Sequence, residues 1–178
     1  MATTIRPRTP ADLPGCADAL KAVHALNGYP VLGVDNPIAF LQTDDVSWVA
    51  ELEEEKDDGS SSRRIVGHIT LTKASTADIS AQLWWQLHPD DKTDIAVLGR
   101  LFVHPDGRGG GTASRLIEAA VEEARGRGQR LVMFALVPRA LDAMRLYRKL
   151  GWVHYGSTVF RWGEGEEMAA ECFASPFA

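Results

Sequence analysis

Three consecutive glycines, Gly109, Gly110 and Gly111, constrain this chain more than any other feature of its sequence. An apolar run precedes them, and an amphipathic helical pattern follows. Peptide units without Cβ atoms let a ligand approach the main chain, and the N–H groups of a first helical turn lack intrahelical acceptors. The segment 101–113 therefore predicts a strand, a glycine turn and a helix whose N-terminus holds an anion such as a phosphate. The alternative is a tight turn in which Thr112 or Ser114 only caps the helix.

Two common phosphate-binding sequences do not match this turn. A P-loop ends in Gly-Lys-Ser/Thr, and this region has no lysine that would reach the outer phosphates of a nucleotide. A dinucleotide-binding fingerprint needs an acidic residue about twenty positions further on, at the end of the next strand. That strand ends here in Val137, Pro138 and Arg139. The sequence therefore disfavours a nucleoside triphosphate or a dinucleotide as the ligand.

The hydrophobic pattern around the glycines describes alternating strands and helices. Residues 95–103 predict a strand, in which Gly99 marks a bulge or a close approach of the main chain. Apolar residues then recur at helical spacing over 113–124, and the apolar run 131–137 predicts a strand that is buried on both faces. A second helical stripe covers 140–150. This order predicts an α/β domain with a mixed sheet and helices on both faces.

Shorter elements flank this centre. Thr9, Pro10 and Asp12 have the form of an N-cap, a first-turn proline and an acidic N3 residue, and they predict a helix through Val23. The other predictions, in chain order, are a loop over 27–36, a helical turn at 38–41, a hairpin of strands 46–52 and 65–71, an irregular stretch over 74–92, and a hairpin of strands 152–155 and 158–162. The acidic, serine-rich segment inside the first hairpin predicts a solvated loop. The tail 163–178 has no assigned structure.

Composition limits the class of protein. The chain has 178 residues, of which 45% are hydrophobic, and this suits a single domain over 1–178. A net charge of -5 disfavours a surface for nucleic acid or for anionic membranes. No segment is apolar over the length that spans a bilayer, and the N-terminus lacks an apolar leader. Because only Cys16 and Cys172 are present, we expect neither a disulfide framework nor a thiolate metal site, and a reducing cytoplasm as the compartment.

Two segments have the form of family signatures. The first is Arg108-Gly109-Gly110-Gly111-Thr112-Ala113, which follows a Leu-x-Val-x-Pro strand end at 101–105. The second is Ala143-x-x-Leu146-Tyr147-x-x-x-Gly151-Trp152. At their observed separation they resemble the Arg/Gln-x-x-Gly-x-Gly/Ala and Ala-x-x-Leu-Tyr-x-x-x-Gly-Phe motifs of the GNAT superfamily of N-acetyltransferases. The resemblance covers a core of about 95–152.

The resemblance implies both a fold and an activity. The GNAT-like fold is a mixed, mostly antiparallel sheet with a splayed parallel pair of strands and helices on both faces. The activity is transfer of an acetyl group from acetyl-CoA to a primary amine of a small-molecule or peptide acceptor, by direct attack on the thioester and without a metal. The oligomeric state, with a homodimer as one form, stays open.

The resemblance also assigns binding residues. The diphosphate of acetyl-CoA would lie on the main-chain amides of the turn, and the matching positions are Arg108, Gly109, Gly110, Gly111, Thr112 and Ala113. The pantetheine arm would pair with the main chain at Leu101, Phe102 and Val103, where N–H groups would also stabilise the oxyanion. Tyr147 matches the family tyrosine that protonates the leaving thiolate, and a role as a buried core residue is its alternative.

The general base is not assigned by the resemblance. Many family members carry a glutamate on the bulged strand, whereas this chain has Val97, Leu98 and Gly99 there. Asp94 at the strand entrance is the nearest carboxylate, and His88 is the alternative base because an imidazole titrates near neutral pH. His68 is a further candidate. The missing glutamate keeps a second function open, namely a non-catalytic acyl-CoA-binding sensor or interaction domain.

Charge is distributed unevenly along the chain. Residues 1–99 carry eight basic and fifteen acidic side chains, whereas residues 100–161 carry eleven basic and five acidic ones. This division favours an anionic ligand on the second part and a cationic one near the first. A cationic acceptor such as a polyamine, an aminoglycoside or a peptide amine is the corresponding hypothesis.

Overall fold

A computed structural model describes residues 3–42, 45–137 and 140–176 of the chain. The strands are β1 Thr3–Pro7, β2 Val46–Glu55, β3 Ser61–Lys73, β4 Asp94–Val103, β5 Gln129–Leu136, β6 Val153–Trp162 and β7 Glu166–Ala174. The helices are α1 Leu13–Asn27, α2 Pro37–Leu41, α3 Ile79–Leu87, α4 Thr112–Gly126 and α5 Leu141–Lys149, with short 3₁₀ turns at Pro10–Asp12 and Pro105–Gly107. The strands form one sheet in the order β1-β2-β3-β4-β5-β7-β6.

The sheet contains both strand directions. β1 is antiparallel to β2, and β7 is antiparallel to β5 and to β6. β4 and β5 are parallel, and their ladder runs only from Asp94 opposite Gln129 to Val97 opposite Val132. The mixed sheet confirms the predicted fold class, and the short ladder agrees with the splayed parallel pair that the resemblance implies.

The contacts within the chain form two compact units, each with its own core. The first unit comprises Met1–Thr70 and Arg100–Ala120. The apolar stripe of α1 is buried there against α2, β2, β3 and β4, and the core residues are Cys16, Ala17, Ala19, Leu20, Val23, Leu41, Val49, Ile65 and Phe102. Burial of this stripe is what stabilises α1, because helix propensity alone contributes little in water.

The second unit comprises Leu71–Gly99 and Val121–Ala178. Its core joins α3 to β4, β5 and β7, and the buried residues are Ala81, Trp84, Ile95, Val97, Val132 and Ala174. The expectation of a single domain over 1–178 stays a prediction.

Several elements follow the sequence pattern closely. The helix predicted from Thr9 begins with a 3₁₀ turn and continues as α1, and Thr9 and Asp12 form the capping box at its start. α2, α4 and α5 lie where helical spacing predicts them, and β4 and β5 lie where the apolar runs predict strands. The apolar run 131–137 predicts that its strand ends at Pro138, and Pro138 lies outside the described residues.

In the N-terminal half, one strand was missed and one prediction was wrong. β1 was not predicted, because it is short and contains Pro7, a residue that an edge strand tolerates since no ladder N–H is needed there. The solvated loop is confined to 56–60, because β2 continues to Glu55 and β3 begins at Ser61. Ion pairs explain why acidic residues occupy a strand here: Glu51 lies 2.7 Å from Arg6 and 3.7 Å from Arg63.

In the C-terminal half, two further predictions were wrong. The stretch expected to be irregular contains α3, and the expected second hairpin is a single strand, β6, whose partner β7 comes from the unassigned tail. Gly156 is not a turn residue. A Cβ added there would lie 3.0 Å from Cδ2 of Leu83, so glycine lets α3 pack closely against β6.

Both cysteines are free thiols buried in a core, Cys16 in the first unit and Cys172 in the second. Burial raises the pKa of Cys16 to about 12 and that of Cys172 to about 11. Both thiols are therefore protonated at neutral pH. Among the helices that the structure describes, none combines the length and the apolar character that a bilayer crossing requires.

Candidate functional site

The glycine turn lies in the first unit, between the Pro105–Gly107 turn and α4. Gly109 and Gly111 have φ angles of 83° and 72°, in the left-handed region where a side chain is strained. A Cβ added at Gly109, Gly110 or Gly111 would meet no atom within 4 Å. Packing therefore does not require these glycines, and Gly110 has no conformational requirement either. Their shared property is an uncovered main chain.

The main-chain donors at the start of α4 are also uncommitted. The first helical hydrogen bond runs from the N–H of Arg115 to the carbonyl of Gly111, at 3.0 Å. Within the described ranges we find no acceptor for the N–H groups of residues 109–114. The N–H of Arg108, by contrast, donates to the carbonyl of Pro105 at 3.1 Å. The predicted cradle therefore begins at Gly109, with six donors at the positive end of the helix dipole that have no acceptor in the described part of the chain.

Hydrogen bonds fix the beginning of α4 in place. The buried hydroxyl of Thr112 donates to the carbonyl of Gly107 at 2.7 Å and lies 3.1 Å from the hydroxyl of Thr3. Arg115 reaches back to β1, where its Nη1 donates to the carbonyl of Thr3 at 2.6 Å. Thr112 uses its hydroxyl to hold the preceding turn. The Thr112 hydroxyl therefore holds the turn before the helix and does not cap the free N–H groups of α4.

A second set of contacts holds the turn that leads into the glycines. Arg64 on β3 lies 2.6 Å from Glu54 and 2.9 Å from Asp106, and the N–H of Asp106 donates to Nδ1 of His104 at 3.2 Å. At Gly107, a Cβ would lie 2.9 Å from Cγ2 of Val66, so this glycine is required by packing. These contacts set the direction in which the chain enters the glycine turn.

The backbone of β4 has an unusual conformation at Arg100, directly after Gly99. Arg100 has a positive φ, of 51°, which is rare for a residue with a side chain. His68 holds it there: its Nδ1–H donates to the carbonyl of Arg100 at 2.9 Å, and its Nε2 accepts from Nη1 of Arg8 at 3.1 Å. The ring also stacks on Phe102 at 5.4 Å.

His68 is neutral in this position. Burial lowers its pKa to about 4, an effect that the neighbouring guanidinium groups of Arg8 and Arg100 reinforce and the hydrogen bond to the Arg100 carbonyl opposes. With both ring nitrogens engaged, His68 positions the main chain at Arg100 and has no free nitrogen for a substrate proton. Arg8 and Arg100 did not stand out in the sequence. The one available signal was an arginine directly after Gly99 in an otherwise apolar strand.

The predicted catalytic residues lie in the second unit. Tyr147 on α5 is 2% exposed and packs edge-on to Trp152 at 5.1 Å and parallel to Phe173 at 6.1 Å. These contacts suit its alternative role in the core as well as a role as an acid. Its assignment as the acid stays a prediction.

The two candidate bases occupy separate surroundings. Asp94, the first residue of β4, accepts a hydrogen bond of 2.8 Å from Nε2 of Gln129. His88 follows α3, stacks on Trp84 at 4.0 Å, and has its Nδ1 3.1 Å from the Trp84 carbonyl. Among the described residues no hydrogen bond joins Asp94 to His88. Nor does any group of three or more His, Cys, Asp or Glu side chains in this part of the chain have the arrangement of a metal site.

Numerous solved structures have this fold, among them three acetyltransferases. NAA60 of Arabidopsis thaliana, solved in complex with acetyl-CoA, is 22% identical with a TM-score of 0.65, and the match covers 97% of each chain. An N-acetyltransferase of Staphylococcus aureus is 17% identical with a TM-score of 0.65 over 98% of each chain. The ribosomal-protein-alanine N-acetyltransferase of Brucella melitensis is 19% identical with a TM-score of 0.63, over 98% of this chain and 99% of the other. At these identities the likeness shows the fold alone.

A curated relative shares sequence over a shorter stretch. An uncharacterized N-acetyltransferase of Methanocaldococcus jannaschii is 36% identical over 62 residues. The match spans 35% of this chain and 27% of the relative's length.

A family model matches a much larger part of the chain. It is that of the acetyltransferase (GNAT) family, whose enzymes are acyltransferases with acetyl-CoA as the donor, and it matches residues 21–152. Both segments that carry the sequence resemblance fall within this range. The predicted family, enzyme class and donor are thereby confirmed at the level of the family. Because the match covers most of the sequence, the chain belongs to the GNAT family of acetyltransferases.

Proposed function

We propose that this protein transfers the acetyl group of acetyl-CoA to a primary amine of a small-molecule or peptide acceptor. One observation carries the proposal: in a chain of this family, the main chain at 109–111 is uncovered, and the N–H groups of 109–114 have no acceptor among the described residues. An uncovered row of donors at a helix N-terminus is a site for a phosphate. The diphosphate of coenzyme A is the ligand with that chemistry in this family.

The residues of the turn fit this ligand. Gly109, Gly110, Gly111, Thr112 and Ala113 would supply main-chain N–H groups to the diphosphate. Arg108 would supply charge, because its own N–H is used within the turn and its Nε donates to the carbonyl of Val103 at 3.1 Å. When bound, acetyl-CoA supplies an activated thioester. Leu101, Phe102 and Val103 would bind its pantetheine arm through the main chain and donate N–H groups to the developing oxyanion.

Proton transfer is the second requirement of the chemistry. The acceptor must lose a proton from an ammonium group, whose pKa is near 10, before it can attack. Asp94 is proposed as the base and His88 as the alternative. Tyr147 is proposed as the acid that protonates the thiolate, since a phenol and a thiol have comparable pKa values.

A second function is favoured by one observation. After Asp94, β4 carries no Asp or Glu, so the side chain that many related enzymes use as a base is missing from the strand. A sensor or interaction domain that binds acyl-CoA without turnover would show this feature. Free, buried thiols suit a reducing compartment, and the cytoplasm is the proposed location for either function.

The decisive experiment combines binding with turnover. Calorimetry with acetyl-CoA should give a dissociation constant in or below the micromolar range, and ATP should not compete. Release of the CoA thiol should exceed the uncatalysed rate with at least one member of a broad amine panel. Binding without turnover across the panel would favour the sensor. No binding of acetyl-CoA, or a preference for ATP, would overturn the proposal.

A further inference from the structure

Two arginines of the first unit, Arg8 and Arg100, lie close together near the end of α2. They donate to consecutive carbonyl groups at the end of α2: Nε of Arg100 to Phe40 at 2.6 Å, and Nη1 of Arg8 to Leu41 at 2.6 Å. His68 connects them a second time, through the Arg100 carbonyl at 2.9 Å and Nη1 of Arg8 at 3.1 Å. The two guanidinium groups therefore share one small region of the unit.

Neither arginine has an acidic partner within the described residues. The acid that is nearest to Arg8 in sequence, Asp12, is taken by Arg6, with two contacts of 2.8 Å. Burial lowers the pKa of Arg8 and the charge of Arg100 lowers it further, whereas the charge of Asp12 acts in the opposite direction without a direct contact. Partly buried positive charges that lack a direct ion pair are costly, and a bound anion reduces that cost.

The free edge of Arg100 is held in place for such an anion. Its guanidinium carbon lies 5.1 Å from the centre of the Phe40 ring, and toward the described residues it uses only Nε for a hydrogen bond. A guanidinium group that is fixed in this way offers paired donors to a carboxylate with little loss of side-chain entropy. The left-handed backbone of Arg100, held by His68, is a strained conformation of the kind that functional sites retain.

Tyr29 adds a neutral donor to the same region. It packs against the first-unit core in the segment between α1 and α2, and burial raises its pKa to about 12 while the charge of Arg100 opposes that shift. Its hydroxyl, which is therefore protonated at neutral pH, has no hydrogen-bond partner among the described residues.

We propose that Arg100 and Tyr29, supported by the charge of Arg8, bind a carboxylate of the acetyl acceptor. The acceptor is then an amino acid, or another amine with a carboxylate a few bonds from its amino group. This inference rests on the proposed acetyl transfer. Leu101 follows Arg100 directly, so this subsite adjoins in sequence the main chain proposed to bind the thioester arm. We therefore propose an acceptor with a carboxylate in place of the cationic acceptor that the charge distribution suggests, because Arg8 and Arg100 make this region of the first unit positive.

Matched acceptors test the proposal. We would compare kcat/KM for the twenty common L-amino acids, their α-amides and their decarboxylated amines. The best amino acid should exceed its amide by about tenfold or more, the effect of one charged contact. An amide or amine that is as good as the amino acid would overturn the proposal, and so would a preference for the corresponding aminophosphonate.

Variants of Arg100 test whether this residue causes the preference for an acceptor with a carboxylate. Arg100→Gln should raise KM for the amino acid about tenfold or more and leave KM for the amide unchanged, whereas Arg100→Lys should be intermediate. Arg63→Gln, at an exposed arginine of the same unit, is the control. An equal loss on the amino acid and its amide, or the same loss in Arg63→Gln, would contradict the assignment.

The two proposals fail in distinguishable ways. Acetyl-CoA affinity and turnover of any amine test acetyl transfer, whereas dependence on the carboxylate tests this subsite. If no amine is acetylated, calorimetry with the amino acid panel in the presence of CoA still decides the matter. Amino acid binding that Arg100→Gln abolishes, with CoA affinity retained, supports the subsite. Binding that is absent, or equal in wild type and variant, overturns it.

Discussion

The hydroxyl of Thr112 lies 2.7 Å from the carbonyl oxygen of Gly107 and donates a hydrogen bond to it. This bond ties the first residue of α4 to the turn before it, and so sets where the uncovered N–H groups point. The side chain is 2% exposed, which means that water cannot replace the bond if it is lost.

Thr112→Val removes that bond while keeping the shape of the side chain. We expect a loss of about 1–2 kcal/mol in the free energy of unfolding, because the Gly107 carbonyl stays buried without its donor. The dissociation constant for acetyl-CoA should rise as the cradle loosens. Thr112→Ser keeps the hydroxyl and serves as the control in denaturant unfolding and calorimetry. Equal acetyl-CoA affinity in Thr112→Val and Thr112→Ser would show that this hydrogen bond does not affect the binding site.

Gly111→Val tests the cradle itself. The residue has a φ of 72° and an uncovered main chain, so a branched side chain both strains the backbone and blocks the approach of a diphosphate. We expect acetyl-CoA to bind about tenfold more weakly or worse, measured by calorimetry. Gly59→Val is the matched control, since Gly59 has a φ of 80°, is equally open and lies in the β2–β3 turn. It should lose stability and keep its affinity, and unchanged affinity in Gly111→Val would refute the cradle.

His68 should make stability depend on pH. Its pKa is about 4 in the folded chain against an ordinary 6.5, so the fold favours the neutral ring. The stabilisation is complete above pH 6.5 and is lost as the pH falls from 6.5 to 4, by about 3 kcal/mol in all. Denaturant unfolding between pH 7 and pH 4 should show the difference between wild type and His68→Gln shrinking by that amount. Parallel curves for the two proteins would show that this histidine does not carry the effect.

Tyr147→Phe separates the two roles of the tyrosine. If the phenol protonates the thiolate, kcat should fall about a hundredfold while acetyl-CoA affinity is unchanged, the usual effect of losing a general acid. Tyr155→Phe is the control, because its hydroxyl donates to the Ser80 carbonyl at 2.6 Å and its loss should lower Tm with kcat retained. A Tyr147→Phe enzyme with normal kcat and lowered Tm would leave Tyr147 as a core residue.

The elements that sequence reasoning identified share a strong local signal. α4 has a full apolar stripe with glycines before it, and β5 is a continuous apolar run, so periodicity alone locates both. β7 carries no such signal, because a strand rich in Glu is recognisable only once β5 and β6 lie on either side of it. At the candidate site, the conformation of Arg100 is likewise not predictable from the local sequence. Its left-handed backbone depends on His68, a residue more than thirty positions away, through a contact that exists only in the folded chain.

The two buried cysteines have a practical consequence. Each thiol lies in a different unit and is held protonated and out of contact with solvent, so a thiol reagent should leave the native protein almost untouched. Colour from a disulfide dye in a turnover assay would then come from released coenzyme and not from the enzyme. Slow labelling over hours would report how often each unit opens. Labelling of Cys16 would report on the first unit, and labelling of Cys172 on the second.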